Sequence, residues 1–284
     1  MNDSVVRTVQ ERRPAQASLD GAGVAIQRVA GFGHAGMDPV LMIDELRSEH
    51  REDFAAGFPP HPHRGMQTLT YMKHGGIVHE DSQGNRGEIR GGGAQYMSAG
   101  RGIIHSEMPT QDSSGLHGFQ LWFNLPRAEK MGRPRYRDLP RALLAQATIG
   151  AATLTAISGD WQAGSDAMLR GPLHELAAQA ALADLDLAAR ATLAVATAPG
   201  ETVMVYVYDG ALATPEGVHG SQQLLVFGAG DQLQLGAGDE GVGCLLLRGR
   251  PLREPVVHYG PFVMNTREEI EEALRDYQSG RFAA

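Results

Sequence analysis

The sequence predicts an all-β fold in two halves, and three observations carry that reading. Glycine supplies 36 of 284 residues, roughly 13% against a usual ~7%, with no collagen-like period. Between Thr68 and Gly118 the turn signals recur about every ten residues, at Gly75-Gly76, Gly84-Asn85, Gly91-Gly92-Gly93, Gly100 and Gly115. That spacing is what the short strands of a β-sandwich or barrel produce. The second half repeats the rhythm in coarse outline, and the length corresponds to about two domains at ~150 residues each.

Taken in order, residues 20–47 read as opening strands built on Val24-Ala25-Ile26 and Val40-Leu41-Met42-Ile43. Thr68 to Met72, Gln95 to Ser98 and Phe119 to Asn124 are strand-sized pieces between turns. Pro126 to Arg141 carries Arg127, Lys130, Arg133, Arg135, Arg137 and Arg141 with three prolines, and reads as a solvated connection between domains. Strands resume at Thr153–Ser158, Val203–Val207, Leu224–Phe227 and Cys244–Leu247. Residues 174–198 are alanine-rich, which favours helix, but the surrounding turn rhythm assigns them to strands. One helix closes the chain. Thr266 and Glu269 form a capping box, Ile270, Ala273, Leu274 and Tyr277 share one face, and Gly280 supplies the stop. The expected division is 1–130 for a first barrel, 131–150 for the connection, 151–265 for a second barrel, and 266–284 for the helix and tail.

Composition excludes several classes. The charge balance is 25 basic against 33 acidic residues, net −8, so direct nucleic-acid binding through phosphate contacts is not expected. A single cysteine, Cys244, forms no internal disulfide and reads as a buried core residue. No signal-peptide apolar region and no membrane-length apolar run occur. The expectation is a soluble, cytoplasmic monomer.

The chemistry lies in two short strands. In His61-Pro62-His63 the imidazoles alternate, so both project from one face of a strand. His105-Ser106-Glu107 repeats the spacing with a carboxylate. If those strands are neighbours, three nitrogens and one oxygen converge. Such a set suits a mononuclear first-row divalent metal with open coordination positions and differs from thiolate-rich structural zinc sites. Gly91-Gly92-Gly93 lacks a following Lys-Ser/Thr and is a turn, with no phosphate loop. Between Leu173 and Leu247 only His174 and His219 occur, so the second half reads as metal-free.

Several longer stretches resemble the pirin family of bicupins. They are Phe58-Pro-Pro-His-Pro-His-Arg-Gly65, His79-Glu-Asp-Ser-Gln-Gly-Asn85, Ala99-Gly-Arg-Gly-Ile-Ile-His-Ser-Glu-Met-Pro109 and His117-Gly-Phe-Gln-Leu-Trp-Phe-Asn124, with Pro251–Val256 and Gly260–Thr266 near the end. The resemblance implies two tandem cupin jelly-roll barrels, with metal in the first alone. It places the family's four ligands on His61, His63, His105 and Glu107. The implied metal is Fe2+, although the ligand set also accepts Ni, Co, Cu, Mn or Zn. Where many members carry glutamate after the histidine pair, this chain has Met66 and Gln67.

For function, the resemblance implies a dioxygenase that cleaves quercetin-type flavonols with O2, Glu107 acting as the general base. The alternative is a metal-dependent regulatory protein acting through a protein partner, as a transcription cofactor or metabolic regulator. Arg64, Arg101 and His117 are the expected substrate contacts, and His79 reads as a hydrogen-bonded structural histidine.

Overall fold

The computed structural model describes residues 4–164 and 167–283, and the chain divides into two compact units. One contains residues 16–35, 40–143 and Leu252 onward; the other contains the residues up to Ala15, residues 36–39 and 144–251. This differs from the division in chain order expected above, because each unit completes its sheets or core with a segment from the opposite end of the sequence.

In the first of these units a seven-stranded antiparallel sheet runs Arg135–Leu139, Ala94–Ser98, Met66–His74, Leu116–Asn124, Val40–Ser48, Val24–Ala30, Gln16–Asp20. A four-stranded antiparallel sheet runs Phe58–His63, Ile103–Pro109, Gly76–Asp81, Arg86–Arg90. Period-two alternation sends Phe119, Leu121 and Phe123 into buried positions on one strand, and Val24 and Ile26 on another. Arg135–Leu139 corrects the expected solvated connection. It pairs along its whole length with Ala94–Ser98, and Leu139 is fully buried. Charged residues are compatible with strand structure at a sheet edge, so a run of arginines does not by itself mark a linker. Lys130, in the same stretch, is also buried and donates to the Gly65 carbonyl, Asn124 Oδ1 and the Val263 carbonyl at 2.7, 2.6 and 3.0 Å.

The C-terminal segment belongs to this unit. The helix Arg267–Gln278 starts at a complete capping box between Thr266 and Glu269. Its buried Ile270 and Ala273 pack with Phe262, Met264 and Phe282. Just ahead of it, the Val263 amide donates to the Arg64 carbonyl at 3.0 Å. That approach requires glycine at position 65. Its φ is +77°, and a Cβ there would lie 2.1 Å from the Val263 carbonyl oxygen.

The other unit is built on an eleven-stranded antiparallel sheet whose main path is Val9–Pro14, Gln223–Phe227, Thr202–Thr214, Gln232–Gly249, Ala181–Leu187, Ala152–Ser158, Ala145–Ile149. Its core gathers Trp161, Leu185, Leu193, Val195, Val205, Leu225, Leu233, Cys244 and Leu246. Leu193 and Val195 thus occupy apolar core in the half without a His-x-His pair. The ambiguous alanine-rich stretch holds the strands Ala181–Leu187 and Thr192–Ala196, with Ala181 and Ala183 buried. The strand Val9–Pro14 was not foreseen. Just before it, buried Arg7 donates to Thr197 Oγ1, the Gly228 carbonyl and the Ala198 carbonyl at 2.7, 2.6 and 2.8 Å. No helix among the described residues is long and apolar enough to cross a membrane.

Candidate metal centre

The two histidine-bearing strands are neighbours. Phe58–His63 and Ile103–Pro109 pair antiparallel, with His105 opposite His61 and Ile103 opposite His63. Residues directly opposite in such a pair share a face, so His61, His63 and His105 are brought together. One nitrogen from each lies within 4.8 Å of the others. His63 and His105 are buried, and His61 is half-buried.

The hydrogen bonds determine which nitrogen each ring presents. His61 Nδ1 donates to the Pro59 carbonyl at 2.8 Å, and His63 Nδ1 to the Pro261 carbonyl at 3.3 Å. A carbonyl only accepts, so in the neutral ring the proton sits on Nδ1 and Nε2 keeps its lone pair. His105 Nδ1 lies 3.3 Å from His79 Nδ1, and His105 Nε2 is buried with no hydrogen-bond partner. Burial holds His63 neutral, its pKa pushed down to about 3 with help from nearby His61. Burial, and then His63, His61 and His79, likewise keep the His105 pKa well below the ordinary histidine range. A buried acceptor left unpaired costs about 1–3 kcal/mol. A divalent cation taken up by these neutral imidazoles removes that cost, so the donor set fits a metal.

These shifts fix the sign of an acid response in the metal-free protein. Both folded-state pKa values lie below the unfolded value of 6.5, so the unfolded chain binds more protons as pH falls. The stability they contribute is fully present above about pH 6.5 and is lost progressively toward about pH 3. Melting curves in chelator, from neutral pH downward, are expected to show a falling midpoint that is shallower in His63→Gln. Identical slopes in the two proteins would contradict buried neutral histidines.

Glu107 stands outside the three-histidine group. It is buried, with Oε2 accepting from Gln120 Nε2 at 2.8 Å and Oε1 lying 3.1 Å from Thr70 Oγ1. Thr70 Oγ1 is also 2.6 Å from Gln120 Oε1. Glu107 nevertheless lines the same cavity as His61 and His63, a space of about 650 Å³. That volume is within the ~300–1,000 Å³ typical of small-molecule sites. Alternate residues of one strand, Leu116, Gly118, Gln120 and Trp122, face it. The aromatic side is well defined. Trp122 meets His63 edge-on at 5.0 Å and Phe32 edge-on at 6.0 Å, and Phe32 stacks on His258 at 4.1 Å.

The three residues expected to contact substrate are not among those lining this cavity. Arg64 is buried away from the cavity lining. It donates to the Arg101 carbonyl and to Asp276 Oδ2 at 2.9 Å, and its guanidinium sits 4.6 Å from the Phe282 ring. It therefore fastens the C-terminal helix. Arg101 is exposed, and His117 pairs with Glu45 at 3.1 Å; neither lines the cavity. Met66 and Gln67 are also absent from the lining. Met66 joins a core cluster, and Gln67 donates to the Tyr96 hydroxyl at 2.7 Å. Sequence reasoning missed Thr70, Gln120, Phe32 and His258. Extending the alternation of Trp122 back along its strand would have reached Gln120.

Two antiparallel β units, one of them holding three convergent histidines in an open cavity, define a bicupin. The family models agree in detail: the pirin model matches residues 23–123, and the model of the pirin C-terminal cupin domain matches residues 182–283. A Vibrio cholerae protein, named provisionally as a quercetin 2,3-dioxygenase, is 44% identical over 277 residues, covering 97% of this chain and 98% of that one. Rat pirin is 37% identical over 272 residues, covering 92% and 89%. A crystal structure of quercetin 2,3-dioxygenase from Acinetobacter baumannii superimposes with a TM-score of 0.88 at 26% identity, covering 98% of this chain and 99% of that one. The chain belongs to the pirin family.

Proposed function

We propose that this chain is a metal-dependent dioxygenase acting on flavonols of the quercetin type. The observation that carries the reading is the set of three imidazoles beside an aromatic-walled cavity, with His105 Nε2 buried and unpaired. The names of its relatives point the same way. His61, His63 and His105 would hold the metal, with iron(II) the first candidate. Once bound, a divalent metal supplies Lewis acidity that lowers the pKa of a substrate hydroxyl and a redox centre for dioxygen.

The chain's own residues do the rest. Phe32 and Trp122 offer flat apolar surface to the fused rings of a flavonol and exclude water from them. Of the carboxylates lining the cavity, Asp20 and Asp44 both pair with Arg28, and we assign Glu107 the proton of the substrate hydroxyl. Gln120 and Thr70 orient the carboxylate through the contacts described above, so it does not have to be ordered when substrate arrives.

The test combines metal analysis of the purified protein with quercetin turnover started by admitting air to an anaerobic mixture. A first-row metal at about one per chain and loss of the flavonol absorbance are expected. A full iron load with no turnover would overturn the enzymatic reading in favour of a regulatory one. Glu107→Gln separates base from ligand. It is expected to keep its metal and lower kcat by about 10²–10⁴-fold, the usual contribution of general-base catalysis. Metal loss in that variant would assign Glu107 to the coordination sphere instead.

A further inference from the structure

His79 and Asp81 lie on the strand Gly76–Asp81, on the far side of Ile103–Pro109 from His61 and His63. In that pairing Asp81 is opposite His105 and His79 is opposite Glu107. Both side chains are essentially inaccessible to solvent. His79 Nε2 lies 3.2 Å from Asp81 Oδ2, and His79 Nδ1 lies 3.3 Å from His105 Nδ1. The Tyr136 ring covers His79 at 4.6 Å. Asp81 is itself fixed: Oδ1 accepts from the Gln83 and Asn85 amides at 2.9 and 3.0 Å, and Oδ2 from Asn85 Nδ2 at 2.9 Å.

Donor and acceptor counting then runs one way along the chain of contacts. A carboxylate has no proton to give, so His79 must donate from Nε2. With that nitrogen protonated, the neutral ring has a lone pair on Nδ1 and can only accept there. His105 must therefore donate from Nδ1, which leaves Nε2 as its bare acceptor, the same atom that is buried without a partner. We propose that His79 and Asp81 are positioning residues that lock His105 in the tautomer whose Nε2 lone pair would be free to take a metal. The proposal rests on the metal-site reading above. It gives a role to a histidine that reads from the sequence only as a hydrogen-bonded structural residue.

Asp81→Asn is the most informative substitution. The two backbone amides at Oδ1 hold the new side chain with its oxygen toward them, which turns its NH2 toward His79. His79 then accepts at Nε2, donates from Nδ1, and forces His105 to carry its proton on Nε2. His79→Leu removes the acceptor altogether. His79→Asn places a carbonyl oxygen near the former Nδ1 and is the rescue variant.

The experiment titrates the purified proteins with cobalt(II) against a chromophoric chelator and records imidazole ¹⁵N spectra of the metal-free forms. Asp81→Asn and His79→Leu are expected to weaken cobalt binding by about 10–100-fold. His79→Asn should stay close to the wild type. In Asp81→Asn the ¹⁵N signals should show the proton moved from Nδ1 to Nε2 of His105, a change that simple loosening of the fold would not produce. Wild-type affinity in Asp81→Asn and His79→Leu, or an unchanged His105 tautomer in Asp81→Asn, would overturn the proposal. A wild-type protein that fails to bind cobalt would sink the metal-site reading itself.

Discussion

Replacing His105 by alanine is expected to empty the metal centre. The substitution removes a buried nitrogen with no other partner and also leaves His79 Nδ1 without its contact to His105. His61 and His63 remain as a pair on one strand, too few ligands to retain a first-row ion through chelator and desalting. Affinity should fall by well over the ~10–100-fold typical of changes in the groups behind a ligand. Quercetin turnover should vanish with it. His117→Ala is the control. His117 pairs with Glu45 outside the cavity lining, so its loss should leave metal content unchanged. Direct metal analysis of both variants decides the matter, and a His105→Ala protein with a full complement would refute the assignment.

The second large effect concerns stability. A chain beginning after Ala15 lacks the strand Val9–Pro14, which forms one end of the eleven-stranded sheet's main path and covers Gln223–Phe227. It also lacks Arg7, whose guanidinium satisfies Thr197, Gly228 and Ala198. Cross-strand pairs contribute about 0.2–1 kcal/mol each, and hydrogen bonds to a charged group about 1.5–3 kcal/mol. The combined loss, on the order of 5 kcal/mol, is comparable with the whole stability of many domains. The expected result is early unfolding of this unit in a denaturant series followed by circular dichroism. An unshifted transition would show that the strand is dispensable.

What the sequence disclosed and what it hid follow from the range of the interactions involved. The paired motifs His61-Pro62-His63 and His105-Ser106-Glu107 were legible because alternation along a strand is a local rule. The same rule, applied one residue further, puts Arg64 on the opposite face from His63. Proximity in sequence to a ligand was therefore a poor guide to the cavity lining. The hydrogen bonding that holds the Glu107 carboxylate was not legible. It depends on Gln120 and Thr70, which reach the carboxylate from two strands of the other sheet. Val9–Pro14 escaped notice because Val-Gln-Glu-Arg-Arg-Pro has one β-branched residue and no apolar alternation, although its burial does alternate. The C-terminal helix was readable to its cap, since capping and an i, i+3, i+4 face need no distant partner.

The share of the C-terminal segment in the unit that holds the three histidines bears on the order of events during synthesis. A ribosome makes the His61 and His63 strand early, but the Pro261 carbonyl that holds the His63 ring and the Val263 carbonyl that receives Lys130 arrive some two hundred residues later. Domains generally fold as units in N-to-C order as they emerge. Here the unit that holds residues 16–35 and 40–143 is completed by a segment made last, so the three-histidine cluster takes its final form only after that segment is synthesised. A nascent chain halted before Leu252 would offer the ligands without the frame that aims them.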